Sequence, residues 1–277
     1  MYAMNVKKLR LGLIGKDVTL SSSDKIHTFI LNELGVACEY EKLSVPPSEF
    51  DLAVRRLLGD FDGFNVTIPY KRDIMEYLDE VKGDAFSFGS VNTVLSALRA
   101  GYNTDGMGFM MMLRQAGVDV SKKRVLVLGG GGSGRSTAAA LKNAGAEVFM
   151  YRRKEAELQE TCRELKITPA ENNDGLRGVY SGSFYMLVNC TGVGMHDTVG
   201  VSPITEKAFD GVKWAVELIH TPKETEFMRL AKSRGANVLN GAAMLFYQAY
   251  YADCIYLGVS PNDNQAIELY KKYVNET

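Results

Sequence analysis

Residues 124–128 form an apolar, β-branched run, RVLVL, followed at once by Gly129-Gly130-Gly131-Gly132-Ser133-Gly134 and then by a helical pattern over 135–143. A strand that passes into a helix through so many glycines makes a tight turn with a bare backbone. The spacing is G-x-G-x-x-G. Gly129, Gly131 and Gly134 serve the turn, the close approach to a ligand and the packing of helix on strand, while Gly132 and Ser133 open a helix whose N–H groups bind a pyrophosphate. This part of the chain therefore reads as a dinucleotide-binding βαβ unit.

The same alternation runs through nearly the whole length. Short apolar or β-branched runs at 9–14, 38–45, 63–68, 91–98, 124–128, 147–151, 185–189, 214–218 and 237–239 are separated by helical periodicity, the pattern of parallel βαβ units and an α/β fold. Pro47 and Pro69 stand where a helix would begin. Arg99-Ala100-Gly101-Tyr102 reads as a turn ending the run 91–98, and a new helical pattern covers 105–115, so a domain crossing is expected there. On that reading residues 1–103 and 241–277 form one domain and 104–240 the nucleotide-binding domain, with the last helical stretches, 242–257 and 261–273, returning to the first. Between 155 and 183, Pro169, Asn172, Asn173, Asp174 and Gly175 suggest an exposed loop.

Composition narrows the class. The 277 residues are 46% hydrophobic and 23% charged with a formal net charge of -1, ordinary for a globular enzyme and not for a disordered, collagenous or membrane chain. A near-neutral balance confines any basic patch to one locality and argues against a nucleic-acid partner. No signal-like opening is visible and no run approaches the roughly 18 apolar residues of a membrane helix, so a cytoplasmic protein is expected. Cys38, Cys162, Cys190 and Cys254 are scattered without a C-x-x-C pair, and His27, His196 and His220 do not cluster with them, which predicts reduced cysteines and no metal site.

About twenty residues beyond the glycine turn, where an NAD site places an acidic residue on the ribose, the chain reads Tyr151-Arg152-Arg153-Lys154. Guanidinium forks suit a 2′-phosphate, so Arg152, Arg153 or both point to NADP. The alternative is a solvated basic helix start neutralised by Glu155 and Glu157.

Three further clusters fall at strand ends, where α/β sheets place ligand groups. They are Gly63-Phe64-Asn65-Val66-Thr67-Ile68-Pro69-Tyr70-Lys71, Ser90-Val91-Asn92-Thr93 and Gly101-Tyr102-Asn103-Thr104-Asp105. Lys71, Asp105, Asn65 and Asn92 are thereby candidates to converge on one crevice. In this order G-x-N-V-T-x-P-x-K, V-N-T and G-x-N-T-D-x-x-G resemble the shikimate dehydrogenase family. The likeness extends to Ser21 and Ser23, the glycine turn, Asn189-Cys190-Thr191-Gly192-Val193-Gly194-Met195 and Asn240-Gly241-Ala242-Ala243-Met244-Leu245-Phe246-Tyr247-Gln248.

The resemblance implies an N-terminal α/β substrate domain beside a Rossmann-like NADP-binding domain, and NADPH-dependent reduction of 3-dehydroshikimate to shikimate by a monomer or homodimer. It makes Lys71 and Asp105 the catalytic pair, which agrees with the need of ketone reduction for a proton donor and of the reverse reaction for a base. It assigns Ser21 and Ser23 to the substrate carboxylate, and Asn65, Thr67, Asn92 and Gln248 to the ring hydroxyls and their network. Thr191, Met195, Gly241 and Met244 join the glycines and arginines at the coenzyme. Read without the family, Ser21 to Ser23 are helix N-caps, Met244 is a core methionine, and Lys71 with Asp105 is a surface ion pair.

The family usually has proline at Asp17 and Asp24, histidine at Leu20, asparagine at Tyr151, aspartate at Glu217 and Asn240, and tyrosine at His220. Asp24 is expected to cap the helix it opens. Leu20 and His220 bear on substrate choice, which leaves a quinate/shikimate dehydrogenase paralogue using NAD or both coenzymes as the neighbouring reading. A nucleotide-binding regulator without turnover is the reading from another class. Arg152→Asp is expected to lower the ratio of NADP to NAD affinity by about 10- to 150-fold for one lost charged hydrogen bond, read by titrating each coenzyme. An unmoved ratio would place the 2′-phosphate contact elsewhere.

Overall fold

The computed structural model describes residues 8–170 and 184–276. Packing divides the chain into two compact units, one ending at Gln115 and resuming at Leu245, the other Ala116–Met244. The last helices therefore belong with the first unit. The helix after Asn103-Thr104 also packs with the first unit, so the crossing comes one helix later than the turn residues suggest.

In the first unit the chain runs β1 (Lys8–Gly15), α1 (Ser23–Glu33), β2 (Ala37–Ser44), α2 (Phe50–Asp60), β3 (Gly63–Val66), β4 (Glu80–Val81), α3 (Asp84–Phe88), β5 (Thr93–Leu95), β6 (Ala100–Tyr102) and α4 (Asp105–Gln115). Among the described residues these strands form a six-stranded sheet in the order β2-β1-β3-β5-β6-β4. Strands β2, β1 and β3 are parallel, but β5 runs antiparallel to both β3 and β6. The expected strand over 91–98 is thus only Thr93–Leu95, followed by a 3-10 turn at Ser96–Leu98 and by Arg99 in the left-handed region at φ 44°. Residues 100–102, read as turn-formers, are the returning strand. Gly101 is glycine there for space, since a Cβ would stand 2.5 Å from the Leu78 side chain and 2.9 Å from that of Val91.

Pro47 opens a 3-10 turn leading into α2, as its fixed φ allows, whereas Pro69 lies in a turn ahead of the 3-10 segment Asp73–Tyr77 and starts no helix. Asp24 is also not the cap of α1. Ser22 holds that position, without a side-chain cap bond, and Asp24 sits in the first turn, where its charge suits the helix dipole. Phe64, Val66, Phe50, Val54 and Leu57 close one face of the sheet, with Tyr70 stacked on Phe50 at 4.1 Å.

The second unit contains β7 (Arg124–Leu128), α5 (Gly132–Asn143), β8 (Glu147–Tyr151), α6 (Glu155–Leu165), β9 (Thr168–Pro169), β10 (Met186–Asn189), β11 (Trp214–Glu217), α7 (Glu226–Ser233) and β12 (Asn237–Asn240). Its sheet is parallel in every pair, ordered β12-β11-β10-β7-β8-β9. Read from the other edge this is the doubly wound Rossmann order, with the reversal between β7 and β10. Strands buried on both faces are apolar throughout, which is why β7 and β10 were legible as uninterrupted runs. Pro169 ends β9, while Asn172, Asn173, Asp174 and Gly175 of the expected loop lie outside the described residues. From the second unit the chain returns through α8 (Ala242–Leu257) and α9 (Asp263–Glu276). Among the described residues no helix is long and apolar enough to cross a membrane.

Tyr256 of α8 packs against β3 at Gly63, where an added Cβ would stand 2.5 Å from its ring and 2.7 Å from the Val94 carbonyl. Gly63→Ala is expected to destabilise the first unit by about 1–3 kcal/mol, the usual cost of overpacking, seen as a lower urea midpoint with an unchanged slope. An unshifted midpoint would show that α8 is not seated on this strand.

Candidate active site

Register explains how separate motifs meet. Leu13 of β1 pairs with Lys42 of β2 and Asn65 of β3, Asn65 with Thr93 of β5, and Thr93 with Tyr102 of β6. Asn92 and Thr104 therefore stand one and two residues beyond this row, and Asp105 follows as the first residue of α4. Lys71 is brought in from the turn after β3, where its carbonyl accepts the Val91 N–H at 2.8 Å.

Lys71 Nζ lies 2.5 Å from Asp105 Oδ2, and the two side chains are 10% and 8% exposed. This is not the surface ion pair that an isolated reading allowed. The other carboxylate oxygen, Oδ1, accepts from Asn92 Nδ2 at 2.7 Å, and Nδ2 also reaches Thr104 Oγ1 at 3.0 Å and Gln248 Oε1 at 3.3 Å. Asn92 Oδ1 in turn accepts the Thr104 N–H and the Thr93 hydroxyl, both at 2.9 Å. The Asp105 N–H is donated to Asn103 Oδ1 at 3.0 Å, and Asn103 is tied to the Ser90 carbonyl at 2.7 Å. One carboxylate is thus held by an ammonium and an amide, and its backbone by a second amide. Such charge-assisted contacts orient it tightly.

Asn65 joins the network through Nδ2, which donates to the Asn92 carbonyl at 3.2 Å and to Thr93 Oγ1 at 3.3 Å. Its Oδ1 accepts from the Tyr40 hydroxyl at 2.9 Å. Tyr40, which the sequence reading did not single out, also shares a hydrogen bond with Ser23, and burial first, then Asp253, pushes its phenol well above the usual range. A tyrosine in a half-buried strand looks like ordinary β propensity, so only register shows its role. Ser21 and Ser23 bond to each other at 3.0 Å, and Lys42 Nζ fastens the loop by the Ser21 carbonyl at 2.9 Å. The Ser21 hydroxyl also accepts the N–H of Ser23, the first residue of α1, at 3.2 Å, while Ser22 at the cap position makes no side-chain cap bond. Thr67 is half-buried in the turn, its N–H donated to the Ile14 carbonyl at 2.9 Å. At Asp17, one of the departures from the family pattern, the carboxylate accepts the Thr19 N–H at 3.1 Å and hydroxyl at 2.7 Å, a local turn that needs no proline.

In the second unit a cavity of about 580 Å³ opens where the sheet order reverses, lined by Gly129, Gly130 and Gly131 after β7, by Arg152, Arg153 and Glu157 after β8, and by Cys190 and Thr191 after β10. The glycines suit a nucleotide for separate reasons. Gly129 has φ 96°, a Cβ on Gly134 would strike the Gly129 carbonyl, and nothing lies within 4 Å of a Cβ built on Gly131, so a pyrophosphate can reach the start of α5. Gly132 and Ser133 form the first turn of α5 outside the cavity lining. Thr191 is set by Asn189, whose Oδ1 accepts its N–H at 3.0 Å and its hydroxyl at 2.6 Å. Asn189 is held by Glu217 at 2.9 Å, and burial raises the carboxyl of Glu217. Met195, Gly241 and Met244 are not in this lining; Met244 is buried, and Gly241 packs against the Leu218 carbonyl. Among the described residues no group of three or more His, Cys, Asp or Glu could hold a metal ion.

Residues 13–94 match the family described as shikimate dehydrogenase substrate binding domain. The chain is 37% identical over 268 residues to a shikimate dehydrogenase (NADP(+)) of Caldicellulosiruptor bescii, with 91% of this chain and 92% of that protein covered. It is 34% identical to the enzyme of the same name from Thermus thermophilus, with 92% and 94% covered. The crystal structure of a Thermus thermophilus shikimate 5-dehydrogenase in complex with NADP(H) and shikimate superposes with a TM-score of 0.85 at 31% identity, over 95% of this chain and 99% of that one. With identity at this level over nine-tenths of its length, the chain belongs to the shikimate dehydrogenase family.

Proposed function

We propose that the protein is an NADP-dependent shikimate dehydrogenase, reversibly reducing the ring ketone of 3-dehydroshikimate to shikimate on the route to chorismate and the aromatic amino acids. The observation that carries this reading is the buried Lys71–Asp105 pair inside a network of amides and hydroxyls. The relatives' names and the complex of the Thermus thermophilus structure support the substrate and the coenzyme.

NADPH supplies the hydride, and the chain's own residues manage the proton and the hydroxyls. Lys71 is the acid–base group: Asp105 takes one of its three N–H donors, and another is placed to protonate the oxygen that becomes an alkoxide, or to accept its proton back in the oxidation of shikimate. Asp105 keeps the ammonium in one position, and Asn92 keeps Asp105 from rotating by occupying its second oxygen. Asn65, Asn92, Thr67 and Gln248 recognise ring hydroxyls, and Ser21 and Ser23 the carboxylate. A pocket of amides and hydroxyls rejects an analogue lacking the matching group far more strongly than an apolar pocket rejects a bulkier one. Gly129, Gly131, Thr191, Arg152 and Arg153 receive the coenzyme, with Met195, Gly241 and Met244 assigned to it by the family likeness alone.

Purified protein is expected to reduce NADP with shikimate much faster than with quinate, and faster than it reduces NAD with either, in a spectrophotometric screen at 340 nm. Equal or faster turnover of quinate with NAD would replace this assignment by the quinate paralogue. Lys71→Ala is expected to lower kcat by about 10²- to 10⁴-fold, the usual worth of a general acid–base. Calorimetry on that variant should find NADP binding intact, because Lys71 and the glycine turn belong to different units. Unchanged turnover would remove Lys71 from the chemistry.

A further inference from the structure

The cavity at the glycine turn holds a carboxylate among its cations. Glu157, in the first turn of α6, lines it together with Arg152, Arg153 and Lys154. Its Oε2 accepts from Arg152 Nη2, and its Oε1 accepts from Lys154 Nζ at 2.9 Å. The other guanidinium nitrogen of Arg152, Nη1, donates to Thr161 Oγ1 at 2.9 Å and to the Glu157 carbonyl at 3.3 Å. The stem of Arg152 lies against Gly130, where a Cβ would stand 2.5 Å from Cδ. Arg152 is therefore fixed beside the glycine turn with its fork already engaged by α6, while Arg153 is exposed.

We propose that Glu157 is a coenzyme-specificity residue that competes for Arg152 and so lowers the preference for NADP over NAD that the arginine would otherwise impose. The inference rests on the coenzyme reading given above and adds to it a residue that opposes it. A 2′-phosphate carries roughly -1.5 to -2 charges at pH 7, so it must take Nη2 from Glu157 while standing close to that anion. A ribose 2′-hydroxyl meets no such repulsion, and a carboxylate in this cavity can accept a hydrogen bond from it, as acidic residues do in NAD sites. Lys154 first, and then Arg152, hold the Glu157 carboxyl below the usual carboxylate range.

The test is Glu157→Gln, which keeps shape and removes charge at a half-buried position. Calorimetric affinities for 2′,5′-ADP and 5′-AMP report the 2′-phosphate without reference to turnover, and kcat/KM with NADP and NAD gives the parallel ratio. The expected result is a rise of about two- to fivefold in the 2′,5′-ADP to 5′-AMP affinity ratio, the size of one partly screened charge contact. In an Arg152→Ala background the same substitution should raise the ratio by clearly less, because the competition for that guanidinium is gone and only the repulsion of the phosphate remains. A ratio that stays level or falls in Glu157→Gln overturns the proposal, as does an equal rise in both backgrounds. Should the unsubstituted protein bind 2′,5′-ADP no better than 5′-AMP, the coenzyme reading itself fails and takes this inference with it; a strong preference that Glu157→Gln does not change overturns the inference alone.

Discussion

Burying an ammonium beside a carboxylate costs several kcal/mol of lost hydration per ion, and their attraction offsets this only where the geometry is good and the remaining oxygens and N–H groups find partners. Asp105 meets its side of that condition because Lys71 takes one oxygen, Asn92 occupies the second and the Asn103 amide fixes the backbone beneath. Removing either charge leaves the other uncompensated, at about 3–5 kcal/mol for a buried pair. The substrate-side network is thus a single unit rather than a set of separate contacts: Asn92 also binds Thr104, Thr93 and Gln248, and Thr93 leads to Asn65 and Tyr40. A pair held this way is oriented by the protein's own groups, the preorganisation that charge stabilisation in a reaction calls for.

The mixed sheet makes this possible. In a wholly parallel sheet, functional residues would all follow the carboxyl ends of strands. Here the antiparallel β5 turns its amino end toward the carboxyl ends of β3 and β6, so Asn92, which precedes β5, stands with Asn65 of β3 and Thr104 beyond β6. Gly101 lets β6 lie close to the Leu78 and Val91 side chains, and β6 leads within three residues to Asp105 at the start of α4.

That same feature marks the limit of what could be read from sequence. In the second unit β7, α5 and β8 follow from apolar runs and a glycine turn, since a strand buried on both faces has little freedom of composition, whereas the two-residue β9 falls in a stretch that reads as loop. Around β5 and β6 the signals compete. Gly101 is a breaker by propensity but a close-approach residue in the sheet, and three-residue strands have no periodicity to read. Lys71, Asp105, Asn65 and Asn92 were visible as polar residues at strand ends, although 34 positions separate Lys71 from Asp105 and only the fold pairs them. Tyr40 was missed as a partner because its type is unremarkable where it stands, since tyrosine suits a strand, whereas Glu157 was legible only as a neutralising charge at the helix start and not as a group lining the cavity. Their roles come from the neighbours that register supplies.

Each unit uses a buried asparagine at a strand end to hold a carboxylate and the following loop, and the difference between them separates chemistry from support. An amide can donate to a carboxylate and accept from a backbone N–H at once, which neither an aspartate nor an apolar residue can do. Asn92 does this for Asp105 and Thr104, and Asn189 for Glu217 and Thr191. Asp105 has an ammonium on its other oxygen, whereas Glu217 is held by neutral donors, the Thr225 hydroxyl at 2.8 Å and the Ile219 N–H at 3.1 Å, and burial raises its pKa. Glu217 therefore acts through Asn189 to shape the loop at Thr191, whereas the amide hub of the first unit carries an ammonium, Lys71.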